Sequence, residues 1–159
     1  MTEETRSATE RITENARATE AVGAALGAVL RRGDVIAIDG DLGAGKTCFV
    51  RGLARGCGTD AELVRSPTFV LHHVYPGGRI TLHHIDCYRL GDGADLGLFD
   101  VDALRDDGAV AIEWAQLANL VEHEPVRVTI DIRSGDERAI RLGSGAPSRF
   151  VDALEALKT

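Results

Sequence analysis

The chain has 159 residues, 44% of them hydrophobic and 27% charged, with a formal net charge of -7. That length suits one domain with a sizeable core, and the acidic balance excludes a protein that grips nucleic acid by itself, because phosphate backbones are held largely by Lys and Arg. No stretch approaches the roughly 18 apolar residues of a membrane span, and the polar start MTEETRSATE lacks the basic and then apolar character of a signal peptide.

Residues 1–14 are expected to form a flexible, solvated segment. From 17 to 32, Val22, Leu26, Val29 and Leu30 recur at near-helical spacing until Arg31-Arg32-Gly33-Asp34 closes a first helix. Asp34 to Asp39 is a short apolar run of the kind that forms a strand buried on both faces. GDLGAGKT, residues 40–47, follows directly, and Phe49, Val50, Leu53 and Ala54 continue as a helix that Gly56 ends. Strands are predicted over 68–75 and 79–87, joined by Pro76-Gly77-Gly78. Residues 94–104 read as partly helical and 109–114 as another buried strand. A second hairpin joins 126–132 to 137–142, and Phe150, Leu154 and Leu157 share one face of a closing helix after Pro147. With no repeat, low-complexity tract or linker to divide it, the chain from 15 to 159 reads as one α/β domain, P-loop NTPase-like, with a mixed β-sheet flanked by helices.

Arginine outnumbers lysine sixteen to two, yet one lysine stands among the glycines of GDLGAGKT. The octapeptide fits G-x-x-x-x-G-K-[ST] at Gly40, Gly45, Lys46 and Thr47, between a predicted strand and a predicted helix. Glycines let consecutive N–H groups converge on an anion at a helix N-terminus, and an ammonium is a compact charge that reaches between phosphates where a planar guanidinium is wider. The pattern points to a nucleoside triphosphate, with the Thr47 hydroxyl on Mg²⁺.

Ligands of open α/β sheets sit beyond the carboxyl ends of parallel strands, where Asp86 ends RITLHHID and Glu113 ends GAVAIE. Asp86 is the better candidate for holding Mg²⁺ directly or through water, as a Walker B-like acid, and Glu113 for completing the metal shell or orienting the attacking water. Each alone could instead cap a helix or pair with Arg89. His83 and His84 are adjacent on a strand and so face opposite ways, which favours packing roles over a shared metal and makes His84 a hydrogen-bond partner for Asp86. Ser66-Pro67-Thr68-Phe69 occupies the place of a γ-phosphate-sensing switch, or is simply a turn that starts a strand, and Thr68 is its candidate contact. Cys48, Cys57 and Cys87 are odd in number and lack zinc or disulfide spacing, so a reducing, cytoplasmic setting is expected.

These residues together resemble the TsaE family, also called YjeE, the small bacterial P-loop ATPases of tRNA threonylcarbamoyladenosine synthesis. Beyond GDLGAGKT the resemblance rests on RSPTFVL at 65–71, HIDCYRL at 84–90 and IEW at 112–114, in the family's order. It implies a Mg²⁺-dependent ATPase, slow alone, acting with TsaB and TsaD and meeting tRNA only through that complex. It further implies phosphate contacts from Gly43, Ala44, Gly45, Lys46, Thr47 and Cys48, metal binding by Thr47, Asp86 and Glu113, with Lys46, Asp86 and Glu113 as the catalytic set, and Ala16 beside the adenine. Cys48 stands where a second Thr is common and Ala115 where Pro is usual. Arg51 and Arg89 are the arginines near the site in sequence. The rival readings are a docking switch reset by hydrolysis, a small-molecule kinase, which would need an arginine-rich lid, and a GTPase, which would need N-K-x-D.

Overall fold

The computed structural model describes residues 9–67, 71–91 and 99–157. Among these the chain runs β1 (Glu10–Thr13), α1 (Ala16–Gly27), β2 (Val35–Asp39), α2 (Lys46–Gly56), β3 (His72–Tyr75), β4 (Thr81–Asp86), α3 (Val101–Asp107), β5 (Gly108–Glu113), β6 (Val126–Ser134), β7 (Glu137–Leu142) and α4 (Ser148–Ala156). The strands form one sheet in the order β1-β7-β6-β2-β5-β4-β3. The four central strands are mutually parallel, and the pairs at both edges, β1 with β7 and β3 with β4, are antiparallel, as is β7 with β6.

β2 shows why the centre reads as an unbroken apolar run. Ile36 and Ile38 pack on one face with Val22, Leu26, Phe49, Leu53 and Phe150, while Val35 and Ala37 pack on the other with Val110, Ile112 and Leu120. All of these are buried, so both faces of the parallel strands are covered. The carboxyl ends of β2, β4 and β5 consequently open on one edge, carrying Gly40, Asp86 and Glu113 together.

α2, which begins at the phosphate loop, is seated on α1 through glycines. A Cβ added at Gly23 or Gly27 would lie 2.3 Å from the carbonyl oxygens of Phe49 or Leu53, and one at Gly52 or Gly56 would lie 2.1 or 2.3 Å from those of Glu20 or Ala24. The i, i+4 glycines of each helix thus form a flat strip on which the other's backbone rests.

The first helix stops at Gly27 rather than 32. Arg79 donates to the carbonyls of Leu30 at 2.6 Å, Gly27 at 2.8 Å and Ala28 at 3.2 Å, so a cation from the following hairpin satisfies the orphan carbonyls. The first hairpin has strands at 72–75 and 81–86 within the expected 68–75 and 79–87; residues 68–70 lie outside the described residues. The helix expected over 94–104 is α3 at 101–107, with 92–98 likewise outside the described residues.

The flexible start expected through residue 14 is corrected over 10–13. ERIT is β1, pairing Glu10 with Arg141 and Ile12 with Ala139, and Thr13 shares a buried hydroxyl hydrogen bond of 2.8 Å with Thr19. Strand β7 would otherwise present an unpaired edge, and Arg141 joins Glu10 at 2.5 Å and Asp131 at 2.8 Å across it. Four residues, two of them charged, carry too little periodicity to show as a strand. Among the described residues no helix is long and apolar enough to cross a membrane.

Candidate functional site

The loop from Gly40 to Gly45 turns between β2 and α2, and its shape depends on glycine at particular points. Gly43 and Gly45 take φ of 79° and 103°, and a Cβ at Gly40 would meet the Ile130 carbonyl at 2.8 Å. Lys46 folds back across the loop and donates from Nζ to the carbonyls of Gly40 at 2.7 Å and Asp41 at 2.8 Å. Its ammonium also lies 4.0 Å from the centre of the Trp114 ring. Burial pushes the Lys46 pKa below the usual lysine range, opposed by the carboxylates of Glu113, Asp86, Asp41 and Asp39. The loop therefore holds a partly desolvated cation against its own carbonyls.

Thr47, on the first turn of α2, donates its hydroxyl to Glu113, with 3.0 Å to Oε1 and 3.1 Å to Oε2. Glu113 is buried at the end of β5 and is held from behind by Nε2 of the fully buried His84. Nδ1 of His84 lies 3.0 Å from the Tyr75 hydroxyl, which is 3.3 Å from the Arg65 carbonyl. Burial raises the Tyr75 pKa to about 12, so this hydroxyl keeps its proton at ordinary pH. The partner expected for His84 is thus corrected from Asp86 to Glu113. Parallel pairing sets Asp86 opposite Glu113, and His84, two residues back on the same face, meets the carboxylate across the strands.

Asp86 is buried at the end of β4. Ser66 donates to its Oδ2 at 3.0 Å and the Tyr88 N–H to its Oδ1 at 2.8 Å. Two bulky residues beside the acids adopt left-handed backbone: Trp114 at φ 56° follows Glu113, and Leu71 at φ 69° receives the Asp86 N–H at its carbonyl, 3.1 Å away. Trp114 also stacks near Tyr88, with ring centres 4.9 Å apart.

These groups line an open cleft of about 430 Å³ that includes Gly43, Lys46, Thr47, Asp86, Glu113 and Trp114. Ala44 is fully buried within the loop. Cys48 lies at the cleft's other end, donating its thiol to the Ala16 carbonyl at 3.1 Å, so the residue at the start of α1 is beside the phosphate loop. Thr68 lies outside the described residues. Arg51 reaches the Val64 carbonyl at 3.4 Å, and Arg89 stands in the turn after Asp86.

The donor set suits Mg²⁺: a threonine hydroxyl and a carboxylate already in contact, a second carboxylate nearby, and oxygen atoms throughout. Among the described residues no group of three or more His, Cys, Asp or Glu forms a metal cage. Two protein oxygens with the remaining positions left to water and phosphate are what Mg²⁺ ordinarily uses. His83 faces away, between His72 at 3.1 Å and Asp107 at 2.7 Å.

The residues that sequence reasoning missed are Tyr75 and Arg138. Arg138 donates to the carbonyls of Ala44 at 2.9 Å and Gly43 at 3.2 Å. Neither residue belongs to a local motif, and both arrive by strand pairing.

The family model described as threonylcarbamoyl adenosine biosynthesis protein TsaE matches residues 13–140. The tRNA threonylcarbamoyladenosine biosynthesis protein TsaE of Bacillus subtilis (strain 168) is 38% identical over 130 residues, covering 80% of each chain. The protein of the same name from Treponema pallidum (strain Nichols) is 38% identical over 133 residues, covering 81% of this chain and 96% of that protein. The crystal structure of YdiB from Bacillus subtilis is similar with a TM-score of 0.68 at 30% identity, covering 92% of this chain and 90% of that one.

Proposed function

The chain belongs to the TsaE family of threonylcarbamoyl adenosine biosynthesis proteins, and on that premise we propose that it is the Mg²⁺-dependent ATP-binding and ATP-hydrolysing component of the system, acting with TsaB and TsaD. The observation that carries this reading is the contact of Thr47 with Glu113 at the mouth of a phosphate loop, because it joins the two motifs that an ATPase needs in one place.

In this reading the backbone N–H groups from Gly43 to Cys48 receive the phosphates, and Ala16 lies on the side of the adenine. Lys46 exchanges the carbonyls of Gly40 and Asp41 for the β- and γ-phosphates, a short swing for a four-carbon stem. Thr47 and Glu113 would hold Mg²⁺, with Asp86 beside them directly or through water; bound there, the ion would supply positive charge against the phosphates. His84 fixes the direction of the Glu113 carboxylate. Asp86, which accepts from Ser66 and from the Tyr88 N–H, would accept a hydrogen bond from the attacking water, and the sequence position of Thr68 suits a γ-phosphate sensor.

Low turnover alone is consistent with this arrangement, since Arg51 and Arg138 are engaged with backbone carbonyls. The net charge of -7 fits a component that meets tRNA through partners, in the cytoplasm. Trp114, the only tryptophan, sits against Lys46 and reports the test. Titration with Mg-ATP is expected to change its fluorescence saturably, and Lys46→Ala to abolish that change; an unaltered titration in the variant would remove the phosphate-loop assignment.

A further inference from the structure

Arg138 is the second residue of β7, yet its guanidinium is spent on the phosphate loop and on the hairpin turn that presents it. Nε donates to the Ala44 carbonyl at 2.9 Å and Nη2 to the Gly43 carbonyl at 3.2 Å, while Nη1 donates to the carbonyls of Gly135 at 2.6 Å and Glu137 at 3.0 Å. Four carbonyls gathered by one planar fork is a geometry that lysine cannot reproduce.

The consequence follows from the planarity of the peptide bond. In a trans peptide the C=O and the following N–H point in opposite directions. Holding the Gly43 carbonyl toward Arg138 turns the Ala44 N–H the other way, where it donates to Asp41 at 3.0 Å and closes the turn. Holding the Ala44 carbonyl turns the Gly45 N–H away from Arg138 in the same manner, and among the described residues that N–H has no backbone partner. It is therefore left for an anion, together with the unpaired N–H groups that begin α2. Without the clamp, a loop with glycines at 40, 43 and 45 samples many conformations, and binding must order it.

We propose that Arg138 is a positioning residue that holds the phosphate loop in its anion-binding shape before nucleotide arrives. This rests on the nucleotide-binding reading of the site. It assigns Arg138 to the ground-state binding of the phosphates that ATP and ADP share, and not to the hydrolytic step.

The test uses the full chain, calorimetry with Mg-ATP and Mg-ADP, and steady-state turnover. Arg138→Met is expected to weaken ATP and ADP alike by about tenfold, the loss of one oriented hydrogen bond to a charged group. KM should rise while kcat at saturating ATP stays within about twofold, the pattern of lost uniform binding. A residue that merely stabilised the hairpin would lower the urea midpoint and leave the affinity of the folded protein unchanged, and that result would overturn the proposal. Should Arg138→Met fail to fold, Arg138→Lys decides: an ammonium has three N–H groups on one atom and cannot serve the two loop carbonyls together with those of Gly135 and Glu137, so a several-fold loss of affinity is expected, and wild-type affinity overturns the proposal. A wild-type chain that binds no nucleotide overturns this inference and the nucleotide reading together, whereas ATP binding unaffected by Arg138 overturns this inference alone.

Discussion

Glu113 is a buried carboxylate gripped from both sides, by the Thr47 hydroxyl in front and the His84 ring behind. Such a group is costly to bury unless its charge is used, and removal of the charge should separate binding from chemistry. Glu113→Gln preserves the volume, and ATP affinity by calorimetry is expected to stay within several-fold while turnover falls about a hundredfold. If that variant still supported many rounds of tRNA modification with TsaB and TsaD, hydrolysis would only reset a docking switch. Lys46, Thr47, Asp86 and Glu113 were legible in the sequence because each sits at a motif position or a strand end, where residue type and location agree. Arg138 was not, because it reaches the loop from 94 residues away in the chain. Tyr75 was equally hidden: it touches the site through the ring of His84, on a neighbouring strand.

At the scale of elements, the position of the phosphate loop depends on how closely α2 lies on α1. Gly52→Ala puts a methyl 2.1 Å from the Glu20 carbonyl, which is backbone and cannot swing aside. The helices must separate, at a cost of about 1–3 kcal/mol, read as a lower urea midpoint. Gly145→Ala is the control, since a Cβ there meets nothing within 4 Å, and its midpoint is expected to be unchanged. Equal midpoints for the two variants would contradict the close seating of α1 on α2. The spacing of Gly23 with Gly27 and of Gly52 with Gly56 was visible in the sequence, but a glycine pair says nothing of its mate until two helices meet. The buried parallel strands were legible as apolar runs and both hairpins from their turns. The end of α1 was not, because Arg79 from a later hairpin decides it.

For the whole molecule, the sheet order matters more than any single contact. With β2 between β5 and β6, and β4 beside β5, the loop lysine and both acids converge on one edge although they come from residues 46, 86 and 113. Strand order is not written in periodicity, so this convergence was an expectation from the motifs and is explained only by the parallel register. The same edge is open, and a net charge of -7 agrees with the proposed action on tRNA through partners. The most direct measurement is ATP turnover by the chain alone and then with TsaB and TsaD, with Lys46→Ala as the blank. Slow turnover that the partners stimulate strongly, and that vanishes in the blank, is the predicted result. Turnover indifferent to the partners, or persisting without Lys46, would contradict the account.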